Sequence, residues 1–184
     1  MTTEIRLSRG KIALIDDNIA DEIGKYKWCA YKDCNNKNET WYVKRSKGGE
    51  VGSLLMHRFI MEIVLERKLE RNEYVDHIDH NGLNNQFNNL RIANPSENAA
   101  NRISRIKKTS QYKGVYFNKE KGKFQAQIQL NYIKINLGYF EDEIEAAEVY
   151  DLNALSKFGE YAHINFPDKL RVRKVEAGLT EATA

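Results

Sequence analysis

The fold is decided by Val75-Asp76-His77-Ile78-Asp79-His80-Asn81-Gly82-Leu83-Asn84-Asn85-Gln86-Phe87-Asn88-Asn89-Leu90-Arg91, followed closely by Asn94-Pro95-Ser96-Glu97-Asn98. Tyr74 to Ile78 suits a short strand. Asn81-Gly82 through Asn88 suits an extended loop, and Leu90 to Ala93 a returning strand. Asn94 or Ser96 then caps a helix with a proline in its first turn, and Asn98 lies in that turn, directed back at the hairpin.

The residue types suit phosphodiester hydrolysis, which needs a base to deprotonate water and a cation to take charge from the phosphate and leaving oxygen. Histidine titrates near neutrality and suits the first task. Carboxylate and amide oxygens suit magnesium, a hard cation that keeps several waters. Asp76 and His77 are neighbours on a strand and point to opposite sides, so they can take different roles. A second metal ligand must then come from another element, here Asn98. The plainer alternative is a loop whose Asn and Asp residues only build turns. Asp79 and His80 suit either such a turn or contact with a metal-bound water. His57, beside Arg58, suits packing, capping or approach to a phosphate.

Upstream, Lys11 to Asp16 reads as a strand, and Asp16-Asp17-Asn18 as caps for a short helix through Ile19, Ile23 and Tyr26. Trp28 to Tyr31 and Trp41 to Val43 read as strands around a polar loop over 33–39, and Gly48-Gly49 as a turn. Leu54, Leu55, Phe59, Ile60, Ile63 and Val64 recur at helical spacing, which predicts a helix from Ser53 to Leu69.

Downstream, Lys113 to Phe117, Lys123 to Leu130 and Tyr132 to Leu137 read as three strands, and Ile144 to Phe158 as a helix. Phe124, Ala126, Ile128 and Leu130 alternate with Lys123, Gln125, Gln127 and Gln129, so one sheet face is buried and the other polar. Ala146, Ala147 and Ala154 would let the helix sit close. The expected fold class is thus α+β. The first domain spans 1–103, with its core over 72–103. A basic linker over 104–110 leads to a three-stranded antiparallel sheet with one helix over 111–167, and a loose tail covers 168–184.

Two resemblances sharpen these expectations. Val75 to Asn101, with its Asp-His pair, Asn89-Leu90-Arg91 and Asn98-x-x-Asn101, resembles the phage-type HNH homing endonuclease motif, a ββα-metal fold. The resemblance implies that Asp76 and Asn98 bind one divalent metal, magnesium with manganese as an alternative. It further implies that His77 is the general base and that Asn89 orients it. Asn98 stands where the class name has His, as is usual in this branch, and Asn84 where many relatives have Asp. Tyr112-Lys113-Gly114-Val115, Leu137-Gly138-Tyr139-Phe140, Glu145-Ala146-Ala147-x-x-Tyr150-Asp151 and Ile164-Asn165-Phe166-Pro167 together resemble the Apetala-type, ethylene-response-factor (ERF-like) domain. That family lays its sheet in the DNA major groove. Its base-contacting positions fall on Lys113, Tyr116, Asn118, Gln127, Gln129, Lys134 and Asn136. Lys119, Lys121 and Lys123 read as phosphate contacts. The plant letters, mostly Arg, Trp and Glu, are absent, which argues against the plant target sequence.

Charge agrees with a nucleic-acid partner. The net charge is only +3, but Arg102 to Lys134 carries nine Lys and Arg against Glu120 alone, while Glu141 to Asp151 is acidic with no Lys or Arg. The sequence thus predicts one basic and one acidic surface. Cys29 and Cys34 read as reduced thiols, since no second Cys/His pair stands at zinc spacing. No apolar run suits a membrane span or a secretory signal, so the expected setting is the cytoplasm of a bacterium or a phage-infected host. The expectation is a homing-type endonuclease, phage- or mobile-element-borne, acting on double-stranded DNA without a small-molecule cofactor. Oligomeric state and target sequence are not legible. The alternative is a catalytically inactive DNA-binding regulator that uses the C-terminal sheet.

Overall fold

The computed structural model describes residues 1–32, 40–46, 53–103 and 109–169. The expected loop over 33–39, the turn at Gly48-Gly49, and most of the linker and tail lie outside the described residues. The chain divides into two compact units, Met1–Asn98 and Ala99–Ala184. Both are α+β, built on small antiparallel sheets.

In the N-terminal unit, β1 (Thr2–Arg6) pairs with β2 (Ile12–Asp16) through a tight turn. The sequence does not announce β1, whose half-buried positions alternate with exposed ones. A 3-10 turn leads into α1 (Ala20–Gly24), which is shorter than expected. Asp16 does not cap it; its carboxylate accepts the backbone N–H of Phe87 at 2.6 Å. Tyr26 lies beyond the helix, edge-on to Trp28 and Phe59.

β3 (Cys29–Lys32), β4 (Trp41–Ser46) and β5 (Ser53–Leu55) form a sheet in that order, and α2 (Met56–Val64) follows. The helix expected from Ser53 thus starts three residues later and ends sooner. Ser53, Leu54 and Leu55 complete the sheet against Ser46, Arg45 and Lys44. At the other end Glu66 takes a left-handed conformation, φ 53°, which stops the helix. Ile15, Ile23, Val43, Met56 and Ile60 are the fully buried centre of this unit. Arg58 on α2 donates to the carbonyls of Leu69, Glu70 and Glu73, and so fastens the segment entering β6 (Tyr74–His77).

β6 pairs with β7 (Leu90–Ala93), and α3 (Pro95–Asn101) follows at once. Asn94 is the cap. Its side chain accepts the N–H groups of Ser96 and Glu97, while Glu97 accepts the N–H of Asn94. This reciprocal capping box fixes where the helix begins. The division between units falls inside α3, after Asn98.

In the C-terminal unit the order is β10 (Ile133–Phe140), β9 (Lys123–Leu130), β8 (Val115–Asn118), all antiparallel. Asn131 and Tyr132 both have positive φ, as a two-residue hairpin turn requires. α4 (Glu143–Phe158), capped by Asp142, buries Ala146, Ala147 and Ala154 in the core with Val115, Ala126 and Ile128. Gly114, at φ 76°, is required twice over: a Cβ there would stand 1.9 Å from the Tyr150 ring. Asp151 is buried and accepts the backbone N–H groups of Asn165 and Phe166 and the Asn165 amide, and Asn165 in turn bridges to Lys113. Burial nevertheless raises its carboxyl above the ordinary range. Tyr150, Asp151, Gly114 and Asn165, all in the quoted motifs, therefore hold this unit together.

Candidate active site and nucleic-acid interface

β6 ends with Asp76 and His77, both buried, although Asp76 keeps 8% exposure and His77 5%. Asp76 lies opposite Arg91 in the hairpin register. The Nε and Nη2 of Arg91 both donate to Asp76 Oδ2, at 3.1 and 2.9 Å. The carboxylate is thereby held in one orientation inside a largely dry pair.

Among the described residues His77 meets Asn85, His57 and Tyr42. Its Nε2 stands 3.5 Å from Asn85 Oδ1; the His57 ring meets it edge-on with centroids 4.9 Å apart; and Tyr42 lies at 6.0 Å. Burial pushes the His77 imidazole below its ordinary pKa, against the pull of the Asn85 bond and of Asp79 and Asp76. The His57 imidazole is driven down to about 3, by burial first and then by His77 and Arg58. Among the described residues its Nδ1 has no hydrogen-bond partner. His57 is therefore a packed, neutral wall of the site.

The loop from Ile78 to Asn89 is braced from within. Asn89 Nδ2 donates to Asp79 Oδ1 (2.9 Å) and to the Asn84 carbonyl (2.8 Å), and its Oδ1 accepts the Asp79 N–H (3.0 Å). Its backbone carbonyl accepts from Ile78 N–H. Asn89 thus closes the loop across its base. Asp79 also accepts from Asn81 N–H and Asn84 Nδ2. Burial pushes its carboxyl up, but these bonds together with His77 bring it below the usual range. Outside the loop, Leu14 exchanges backbone bonds with Leu83 and Asn85. A Cβ on Gly82 would lie 2.5 Å from the Trp41 carbonyl and the Tyr42 ring, so only glycine lets the loop rest on β4.

Asn98 is placed in α3, its N–H bonded to the Asn94 carbonyl. Sequence reasoning missed Asn85, Tyr42 and Arg91. Opposite charges on facing strand positions could have signalled Arg91. Asn85 and Tyr42 depend on contacts far apart in the chain, for which no local signal exists.

In the C-terminal unit the polar sheet face is internally linked. Tyr116 Oη donates to Gln127 (3.0 Å), Asn118 to Gln125 (3.3 Å), and Gln125 to Asn136 (2.9 Å). Gln125, not anticipated as a site residue, is buried at the centre of this network. Gln129 and Lys134 face each other across the register and are exposed. Lys119 is exposed; Lys121 lies 3.7 Å over the Tyr139 ring; Lys123 pairs with Glu141. Lys113 differs in that its half-buried side chain donates to the carbonyls of Ala100 and Arg102 of the same unit.

Among the described residues no group of three or more His, Cys, Asp or Glu could hold a metal, and no helix is long and apolar enough to cross a membrane. Comparison with known proteins finds similarity to a protein of Acanthamoeba polyphaga mimivirus named an uncharacterized HNH endonuclease. The two are 37% identical over 128 residues, 68% of this chain and 66% of that one. A shorter match, 46% over 48 residues, joins 26% of the chain to 40% of Protein 3.8 of Escherichia phage T7. The chain thus spans just under two thirds of the first relative and less of the second. No protein-family model matches the chain, and no solved structure does.

Proposed function

We propose that the chain is a metal-dependent HNH endonuclease of homing type, phage- or mobile-element-borne, that hydrolyses phosphodiester bonds of double-stranded DNA. The carrying observation is the β6–loop–β7–α3 segment, in which a buried, neutral-leaning His77 adjoins the Arg91-oriented carboxylate of Asp76. Likeness to the mimivirus protein supports the same class. The order strand, loop, strand, helix fits the ββα-metal arrangement.

The donor chemistry fits a hard divalent cation such as magnesium. Asp76 and Asn98 would hold it with two protein oxygens, leaving the remaining positions to water and phosphate. When bound, such an ion supplies charge neutralisation at the scissile phosphate and the departing 3′ oxygen. Arg91 orients the Asp76 carboxylate. His77 accepts the proton of the attacking water. A proton on Nε2, shared with Asn85 Oδ1, leaves the basic lone pair on Nδ1, so Asn85 biases which nitrogen does the work. Asn89 acts at one remove, by holding the loop that carries Asn85.

The C-terminal sheet is proposed to direct the enzyme to DNA in the manner of an ERF-like domain. Gln127, Gln129, Lys134, Tyr116, Asn118 and Asn136 would meet base edges, and Lys119, Lys121 and Lys123 phosphates.

The test is nicking of supercoiled plasmid with and without magnesium, beside His77→Ala. Metal-dependent nicking lost in the variant is expected. A wild type that cuts no DNA in any divalent metal would sink the enzyme reading.

A further inference from the structure

Outside the four candidate active-site residues, the N-terminal unit gathers a second set of cations around one aromatic ring. Trp41, half-buried at the start of β4, has Lys11 Nζ 5.0 Å, the Arg9 guanidinium 5.5 Å and Lys32 Nζ 6.0 Å from its ring centroid. The three come from separate places in the chain. Arg9 is in the turn after β1, Lys11 is at the entry to β2, and Lys32 lies directly opposite Trp41 in the β3–β4 register.

This convergence is built. Arg9 is held at φ 61°, a left-handed conformation uncommon for a residue of its type. The turn that carries it is fastened to β3 by a bond from Ala30 N–H to Ser8 Oγ. Like charges this close repel over distances comparable to the Debye length, about 8–10 Å. An aromatic face offsets such repulsion only in part. Among the described residues neither Arg9 nor Lys11 pairs with a carboxylate. A polyanion is the ligand that relieves Arg9 and Lys11.

Its position suggests which polyanion. The Trp41 carbonyl lies against Gly82 of the active-site loop, so the cluster borders that loop, on the face of β4 opposite the one from which Tyr42 meets His77. We propose that Arg9, Lys11, Lys32 and Trp41 form a backbone contact for duplex DNA on the N-terminal unit itself, holding phosphates of the duplex beside the active-site loop. The inference rests on the nuclease reading for its ligand. It assigns part of the DNA affinity to a unit other than the C-terminal sheet.

The experiment measures affinity of the full chain for a labelled duplex over a range of salt, without divalent metal so that nothing is cut. Wild type is compared with Arg9→Ala/Lys11→Ala/Lys32→Ala and with a charge-matched control, Lys25→Ala/Lys27→Ala/Arg71→Ala, each checked for folding by circular dichroism. The cluster variant should bind about tenfold or more weakly at low salt, with a salt slope shallower by about two to three, since each phosphate contact contributes roughly 0.9. The control should stay near wild type. Binding should also change tryptophan fluorescence, and the change should vanish in Trp41→Phe, because Trp28 is buried in the core. A cluster variant indistinguishable from wild type, or from the control, overturns the contact while leaving the nuclease reading intact. A wild type that binds no duplex at any salt overturns both.

Discussion

The Asp76–Arg91 pair shows how much one register decides. With side-chain exposures near one tenth, neither charge is well solvated, and removing Arg91 would leave a buried carboxylate at a cost of about 3–5 kcal/mol. The pair thus ties the stability of the hairpin to the orientation of a proposed metal ligand. His57 couples stability to pH instead. It stays neutral in the folded chain down to about pH 3, whereas in the unfolded chain it takes up a proton below its ordinary value of 6.5. The unfolded state therefore gains the extra proton first as pH falls, so the contribution is intact above pH 6.5 and is lost progressively toward pH 3. Urea unfolding at several pH values should show wild type losing stability relative to His57→Phe by up to about 1.4 kcal/mol per pH unit between pH 6 and 4. Parallel stability curves would show that His57 is not buried in its neutral form.

At the scale of elements, the loop from Ile78 to Asn89 depends on one side chain more than its asparagine-rich composition suggests. Asn89 makes three side-chain bonds at its base, while neighbouring Asn88 is exposed. Asn89→Ala should lower the unfolding free energy by about 1–3 kcal/mol, because the buried Asn89 amide makes three half-buried hydrogen bonds that the variant loses, while Asp79 and Asn84, nearer the solvent, can turn to water. Asn88→Ala should stay within about 0.5 kcal/mol. Denaturant melts of the two variants compare them directly, and equal effects would refute the bracing role. The same contrast explains what was legible in the sequence. Asn94 with Pro95 and Glu97 announces the start of α3, because capping is local chemistry. The β9 alternation announces a one-sided sheet for the same reason. The Ser53 to Leu55 strand was hidden inside a helical period, since sheet completion by β4 overrides three residues of local preference. Asn85 and Tyr42 at His77 were invisible, because strand pairing and the bonds from Leu14 decide what meets the imidazole.

At the scale of the whole molecule, the charge pattern takes on structure. The acidic run supplies the Asp142 cap and much of the outer surface of α4, while the basic run decorates the loop and strands on the polar side of the sheet. That face is only partly available to a ligand. Gln125, Gln127, Tyr116, Asn118 and Asn136 already bond to one another, so they are pre-positioned, and any base they meet must exchange with those bonds. Gln129 and Lys134, exposed and facing each other, carry no such cost, and Lys119 is likewise open to solvent. Affinity through phosphates should therefore separate from sequence preference through amides. Lys119→Ala/Lys121→Ala should weaken duplex binding uniformly across sequences and flatten its salt dependence by about one to two. Gln129→Ala/Lys134→Ala should instead change which positions on a long natural DNA are nicked, with total nicking of plasmid within a few-fold of wild type. Mapping nick sites by primer extension on the same DNA distinguishes the two. An unaltered nick map in Gln129→Ala/Lys134→Ala, with the sheet still folded, would remove sequence selection from this face and leave the C-terminal unit as a nonspecific anchor.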